Sequence, residues 1–335
     1  RIQYKKKCMN SIKQIPKAEI HVHLEATISP DLCRKFADRN NVEITEDIFG
    51  SEYAYSWDDF YDFIKKYDII TSVIHTPEDY RELTYTYLKE CALTNVLYVE
   101  AMVSSTHAKQ KGMTYHSFLE GVAEGAKQAE KDYGIVSKYI MNGIRHLGPE
   151  SVYATAKEVL ENPHSDLVGF GLAGDELHFP PKLFTKTFDM LKEAKFPITV
   201  HAGEWDGPEK IRDAISLLHP TRLGHGVRSI EDPSLVELIK DLDIVLETCP
   251  TSNIATKIYE NYEEHPVKKL FDQNVKITVN SDDPPFFNAS IAGEYEVMAG
   301  LGLSSNELIS LTRNAIQSAF CNQATKEELL NKILN

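Results

Sequence analysis

The chain predicts a (β/α)8 TIM barrel. Three observations carry that expectation: eight short β-branched runs, longer helix-periodic stretches between them, and ionisable residues gathered where the runs end. The strand candidates are 19–24, 97–103, 137–144, 167–173, 197–202, 221–225, 243–248 and 276–280. Helical periodicity fills 77–94, 115–133, 149–160, 181–194, 208–218, 233–242 and 266–273. Most of these stretches open with proline, whose missing N–H would be unpaired in a first helical turn anyway. Alternating units of this size favour a closed barrel over an open doubly wound sheet. No Gly-x-Gly-x-x-Gly follows the first strand, so dinucleotide binding lacks support.

Residues 1–15 begin with the basic run Arg1 to Lys7 and lack the apolar stretch of a secretory signal. They are expected to form a flexible tail on a single domain spanning 1–335. In the first strand His21 and His23 are two apart, so both face one way while Val22 packs the other. The interval 29–95 has room for more than one extra helix and includes the aromatic-rich stretch from Trp57 to Ile64. An insertion after strand 1 sits on the face that carries barrel active sites, where it walls a pocket or acts as a lid. Its aromatics would serve equally well as the core of an added helical layer. The C-terminal stretches 304–320 and 326–334 read as further outer helices.

Composition narrows the setting. The 335 residues are 42% apolar and carry a formal charge of -14, from 36 basic and 50 acidic side chains. That balance argues against nucleic acid or an anionic membrane as partner, since the average surface would repel both. Cys8, Cys33, Cys91, Cys249 and Cys321 are scattered without a Cys-x-x-Cys pair, which excludes a thiolate zinc knuckle and fits a reducing, cytoplasmic location. No segment is long and apolar enough to span a bilayer. A small molecule is the expected partner, and monomer and weak homo-oligomer both stay open.

His201, His225, Glu247, Asp282 and Asp283 fall at or just beyond strand C-termini, as His21 and His23 do. Chance is a poor explanation for ionisable groups at five of eight strand ends. Imidazole and carboxylate suit a borderline cation such as zinc, with one coordination position left open in a catalytic site. The other eight histidines, among them His75, His116, His164, His219 and His265, read as surface or packing residues.

The motifs His-Val-His-Leu-Glu at 21–25, Gly-Leu-Ala-Gly-Asp-Glu at 171–176, His-Ala-Gly-Glu at 201–204, Leu-Gly-His-Gly at 223–226, Cys-Pro-Thr-Ser-Asn at 249–253 and Asn-Ser-Asp-Asp-Pro at 280–284 occur in order. Together they resemble the adenosine deaminase family of the amidohydrolase superfamily, from about residue 16 to 320. The resemblance implies one zinc ion held by His21, His23, His201 and Asp282. Gly174 stands where other branches carry a lysine that bridges two metals, which favours one metal.

The activity implied is hydrolytic removal of a purine 6-amino group. Zinc lowers the pKa of bound water to about 7 and so supplies hydroxide. Glu204, three residues beyond His201 and after the flexible Gly203, would protonate the ring. His225 would orient the attacking hydroxide, and Asp283 would accept a proton or hydrogen-bond a purine nitrogen. Glu247 would fix the tautomer of His225. The zinc deaminases with a Pro-Cys-x-x-Cys signature are a different solution, since Cys249 has no second cysteine nearby.

For the substrate, the resemblance places the Gly174 N–H on a ring nitrogen with Glu176 nearby, and Phe63 and Tyr67 as an apolar wall. Glu25 stands where many nucleoside deaminases carry Asp for the ribose hydroxyl, and Ala26 where glycine is usual. Leu-Ala-Gly-Asp-Glu is the nucleoside-type form. The expected order is therefore adenosine, with 2′-deoxyadenosine, going to inosine and ammonia, then a 5′-modified adenosine such as aminodeoxyfutalosine, then free adenine. The alternative of another class is a non-catalytic purine- or metal-binding barrel, ranked low because every position needed for metal, water and proton transfer is filled. A phosphotriesterase- or dihydroorotase-like hydrolase is disfavoured by the missing lysine.

Overall fold

A computed structural model describes residues 12–334. Its strands are β1 (Lys17–His23), β2 (Val96–Val103), β3 (Val136–Ile144), β4 (Leu167–Ala173), β5 (Ile198–Ala202), β6 (Arg222–His225), β7 (Val245–Thr248) and β8 (Ile277–Val279). All neighbours pair in parallel and in chain order. The parallel bridge between Val22 and Asp282 brings β8 back to β1, where the His23 N–H donates to the Asp282 carbonyl at 3.0 Å. The expected (β/α)8 barrel is the observed fold.

Of the tail expected over 1–15, residues 1–11 lie outside the described residues, while Ile12 and Ile15 are buried. The interval after β1 holds three α-helices, Pro30–Asn40, Phe60–Thr71 and Pro77–Ala92. Their starts follow local chemistry. Ser29 accepts from the Leu32 N–H, Asp59 from the N–H groups of Tyr61 and Asp62, and Thr76 forms a capping box with Asp79. Helices Pro250–Ala255 and Ile291–Gly300 were not anticipated. The first has only 6 residues after β7, and in the second the buried residues include Glu294 beside Ile291, Ala292, Tyr295 and Met298, leaving little polar-face contrast to read.

Two environments divide each strand. Ile20 and Val22 point outward and pack under the helices, while Glu19, His21 and His23 alternate with them toward the interior. The interior is unusually polar near its base. Arg222, fully buried, meets Glu100 at 2.7 Å and Glu247 at 2.5 Å, and its guanidinium stacks 3.7 Å from the Phe320 ring centroid. Such ions persist in a core only when mutually paired. Phe320 arrives just after the helix Ser305–Ser318 and closes the base, its N–H donating to Glu100. Among the described residues the four cysteines are free and buried, and no helix is long and apolar enough to cross a membrane.

Candidate active site

Strand ends gather the ionisable groups over the barrel axis. His21, His23, His201 and Asp282 each offer one ligand atom, all within 4.8 Å of one another. Asp282 Oδ1 lies 3.4 Å from Nε2 of both His21 and His23. Asp282 and His225 adopt left-handed backbone conformations, φ 62° and 60°, rare for residues with a side chain. The chain thereby turns sharply off β8 and β6 and swings both groups inward, a strain of the kind that concentrates at functional sites. Gly224 makes room beneath them: a Cβ there would stand 2.8 Å from His21 Cε1 and 3.1 Å from His201 Cγ.

The donor set fits a cation. His21 Nε2 is buried with no hydrogen-bond partner, a costly condition that a metal ion relieves. His21 Nδ1 is held by Glu247 Oε2 at 2.8 Å, which leaves the other ring nitrogen free to ligate. Ser252 Oγ donates to Asp282 Oδ2 at 2.7 Å. A second cluster, His21, His225, Cys249 and Asp282, is also compact. The Cys249 thiol donates to the Glu247 carbonyl at 3.6 Å and His225 Nδ1 is engaged by Asn253 at 3.3 Å, so the first set is the better cage.

Beside the cluster opens a cavity of about 730 Å³, mouth included. Glu204, His225, Asp283, Gly174, Phe63 and Tyr67 all line it. Burial, reinforced by the charges of Asp282 and Glu176, raises the Glu204 carboxyl well above the usual range. Asp283 is pushed up to about 8 by burial and then by Asp282, whereas burial lowers His225 to about 3. His225 Nε2 faces Glu204 Oε2 at 3.6 Å and Asp282 Oδ2 at 3.8 Å. Gly203, at φ 80°, makes the turn that brings Glu204 here, and a Cβ on it would collide with Ile211 Cδ1 at 2.3 Å. The helix Phe60–Thr71 walls the opening, with Phe60 against Trp205 at 4.5 Å between centroids.

Three expected contacts are corrected. Glu247 does not touch His225; it serves His21, because its inward-facing carboxylate passes β8 to reach β1, two strands away round the barrel. Glu176 is absent from the cavity wall and instead accepts the backbone N–H groups of Gly203, Glu204 and Trp205 at 2.5, 3.2 and 3.0 Å, so it fixes the turn that carries Glu204. Glu25 is also absent from the wall. It is 1% exposed and accepts from the Ser104 N–H at 2.9 Å and the Tyr80 hydroxyl at 3.2 Å. The sequence reading missed Arg222, Asn253, His265, and the wall histidines His107 and His146. Asn253 was within reach, since it closes the motif at 249–253.

Fold and site together define a metal-dependent hydrolase of the amidohydrolase type, with its donor set on the strand C-terminal face of a (β/α)8 barrel. The family model described as adenosine deaminase matches residues 16–335. The chain belongs to the adenosine deaminase family and is a hydrolytic deaminase. It is 41% identical over 317 residues to a protein of Sinorhizobium medicae named adenine deaminase, covering 94% of this chain and 97% of that one. The crystal structure of adenine deaminase from Arthrobacter aurescens superposes with a TM-score of 0.89 at 29% identity, over 96% of this chain and 98% of the other. An N6-methyl-AMP deaminase of Arabidopsis thaliana superposes at 0.85 with 26% identity, over 97% and 98% of the two chains.

Proposed function

We propose that this protein deaminates free adenine to hypoxanthine and ammonia. The observation that carries this reading is the burial of Glu25: it is 1% exposed, and the Ser104 N–H and the Tyr80 hydroxyl both take up its Oε1, so that oxygen is not available to a ribose hydroxyl. The names of the relatives from Sinorhizobium medicae and Arthrobacter aurescens support it. The sequence alone ranked adenosine first; the buried Glu25 and these relatives favour the base.

His21, His23, His201 and Asp282 would hold one zinc ion, which when bound lowers the pKa of water to about 7 and makes hydroxide available at neutral pH. Glu247 accepts the His21 Nδ1 proton and keeps that ring in its ligating tautomer. The adenine ring lies against Phe63 and Tyr67, with the Gly174 N–H and Asp283 on ring nitrogens. Glu204, kept protonated by burial, gives its proton to the ring nitrogen beside the attacked carbon, which neutralises the charge that attack develops there. The Glu204 carboxylate then takes up the proton of the hydroxyl now on that carbon as its C–O bond becomes a carbonyl, and passes it to the amino group, which leaves as ammonia. His225, neutral at working pH, hydrogen-bonds the attacking oxygen and orients it.

Ammonia release from adenine by the zinc-loaded enzyme tests the proposal. Turnover should vanish on metal removal and return with one equivalent of zinc per chain. Loaded enzyme that leaves adenine untouched would refute it.

A further inference from the structure

Behind His225 lie two fully buried polar side chains, Asn253 and His265, that the chemistry above does not use. Their hydrogen bonds form a line with a fixed direction. The backbone N–H of Val267 points at His265 Nδ1, 3.1 Å away. A backbone amide only donates, so Nδ1 is unprotonated and the ring proton sits on Nε2. That Nε2–H faces Asn253 Oδ1 at 3.0 Å, which sets the orientation of the amide. The amide nitrogen is thus turned to His225 Nδ1 at 3.3 Å, and because it too can only donate, Nδ1 of His225 accepts. A neutral His225 then carries its proton on Nε2, the nitrogen that faces Glu204 and Asp282 across the cavity.

We propose that Asn253 and His265 are positioning residues that lock His225 in its Nε2–H tautomer, so that it presents a donor to the oxygen attacking the purine. The proposal rests on the role given to His225 above. The opposite tautomer would turn a lone pair toward the carboxyl groups of Glu204 and Asp282 and leave nothing to hold the attacking oxygen. An imidazolium at His265 would set one N–H against the N–H of Val267, so the line has a single consistent direction.

Asn253→Asp tests it, because the new side chain has the same shape but only acceptor oxygens. The proton of His225 should move to Nδ1, where the carboxylate accepts it. Long-range 15N–1H spectra of the zinc-loaded enzyme labelled at histidine read this directly, with the His225 signals identified by their loss in His225→Gln. The wild type should show a protonated Nε2 and the Asn253→Asp variant a protonated Nδ1. Turnover should fall ~100-fold or more, as a misplaced tautomer costs in other histidine-dependent sites, with KM changed by less than ~3-fold. A wild-type His225 protonated on Nδ1, or a variant with Nε2–H alone, would overturn the proposal. If Asn253→Asp does not fold, His265→Phe frees the amide to turn over; His225 should then populate both tautomers, and a single Nε2–H form would again overturn it. A flipped tautomer with unchanged kcat would uphold the line of hydrogen bonds and sink the role assigned to His225.

Discussion

Glu176→Gln removes one oxygen from a carboxylate that serves three backbone donors. Oε1 accepts from Gly203, and Oε2 from Glu204 and Trp205. A glutamine keeps one acceptor oxygen. Its better orientation satisfies Glu204 and Trp205 and sets an NH2 group against the Gly203 N–H. One orphaned buried donor costs ~1–3 kcal/mol, and the two remaining bonds lose charge assistance at ~1 kcal/mol each. The sum is ~3–5 kcal/mol, concentrated on the turn that aims Glu204. Because a misplacement of about 1 Å can cost ~100-fold in rate, kcat should fall ~10- to 100-fold while bound metal stays at the wild-type level. Steady-state kinetics and metal analysis on one preparation, with a denaturant midpoint, check all three. A variant with wild-type midpoint and kcat within twofold would refute the reasoning.

Glu204→Gln should keep the metal and lose ~100- to 10,000-fold in kcat, whereas His201→Ala should lose both; near-normal turnover of Glu204→Gln would remove it as proton donor. Arg222→Met leaves the carboxylates of Glu100 and Glu247 buried without their shared cation. Unfolding should show it ~3–5 kcal/mol less stable, with much of the loss recovered when Glu247→Gln is added, and strictly additive losses would contradict the pairing. Glu294 is raised by burial from 4.5 to about 8, so the folded state holds its proton more tightly than the unfolded chain. Its contribution is full below about pH 4.5 and disappears as pH climbs to about 8. Glu294→Gln should therefore flatten the stability profile across that window, and a slope like the wild type's would show that Glu294 does not set it.

The barrel was legible because strand and helix periods differ and because prolines and caps mark many of the helix starts. Strands ended within two residues of expectation, and His21 with His23 followed from alternation alone. The second ring of contacts was not legible. Glu247 pairs in register with Gly224, next to His225, yet its carboxylate reaches His21, two strands away in the other direction round the barrel. Sequence spacing gives the face a residue takes, not which of two inward neighbours it meets. His265 looked like a loop histidine because its partner Asn253 stands 12 residues back on the short helix after β7, and His225 beyond it ends the neighbouring strand β6. Glu25 was read as a substrate contact because nothing local reveals that Tyr80 and Ser104 both take up its Oε1.

The most direct test of the central claim is an internal competition. Zinc-loaded enzyme is given equimolar adenine and adenosine, and hypoxanthine and inosine are separated and counted at low conversion, which reads the ratio of kcat/KM values. With Glu25 buried and its Oε1 taken up by Ser104 and Tyr80, hypoxanthine should exceed inosine by at least ~10-fold. Inosine in equal or greater amount would contradict the account.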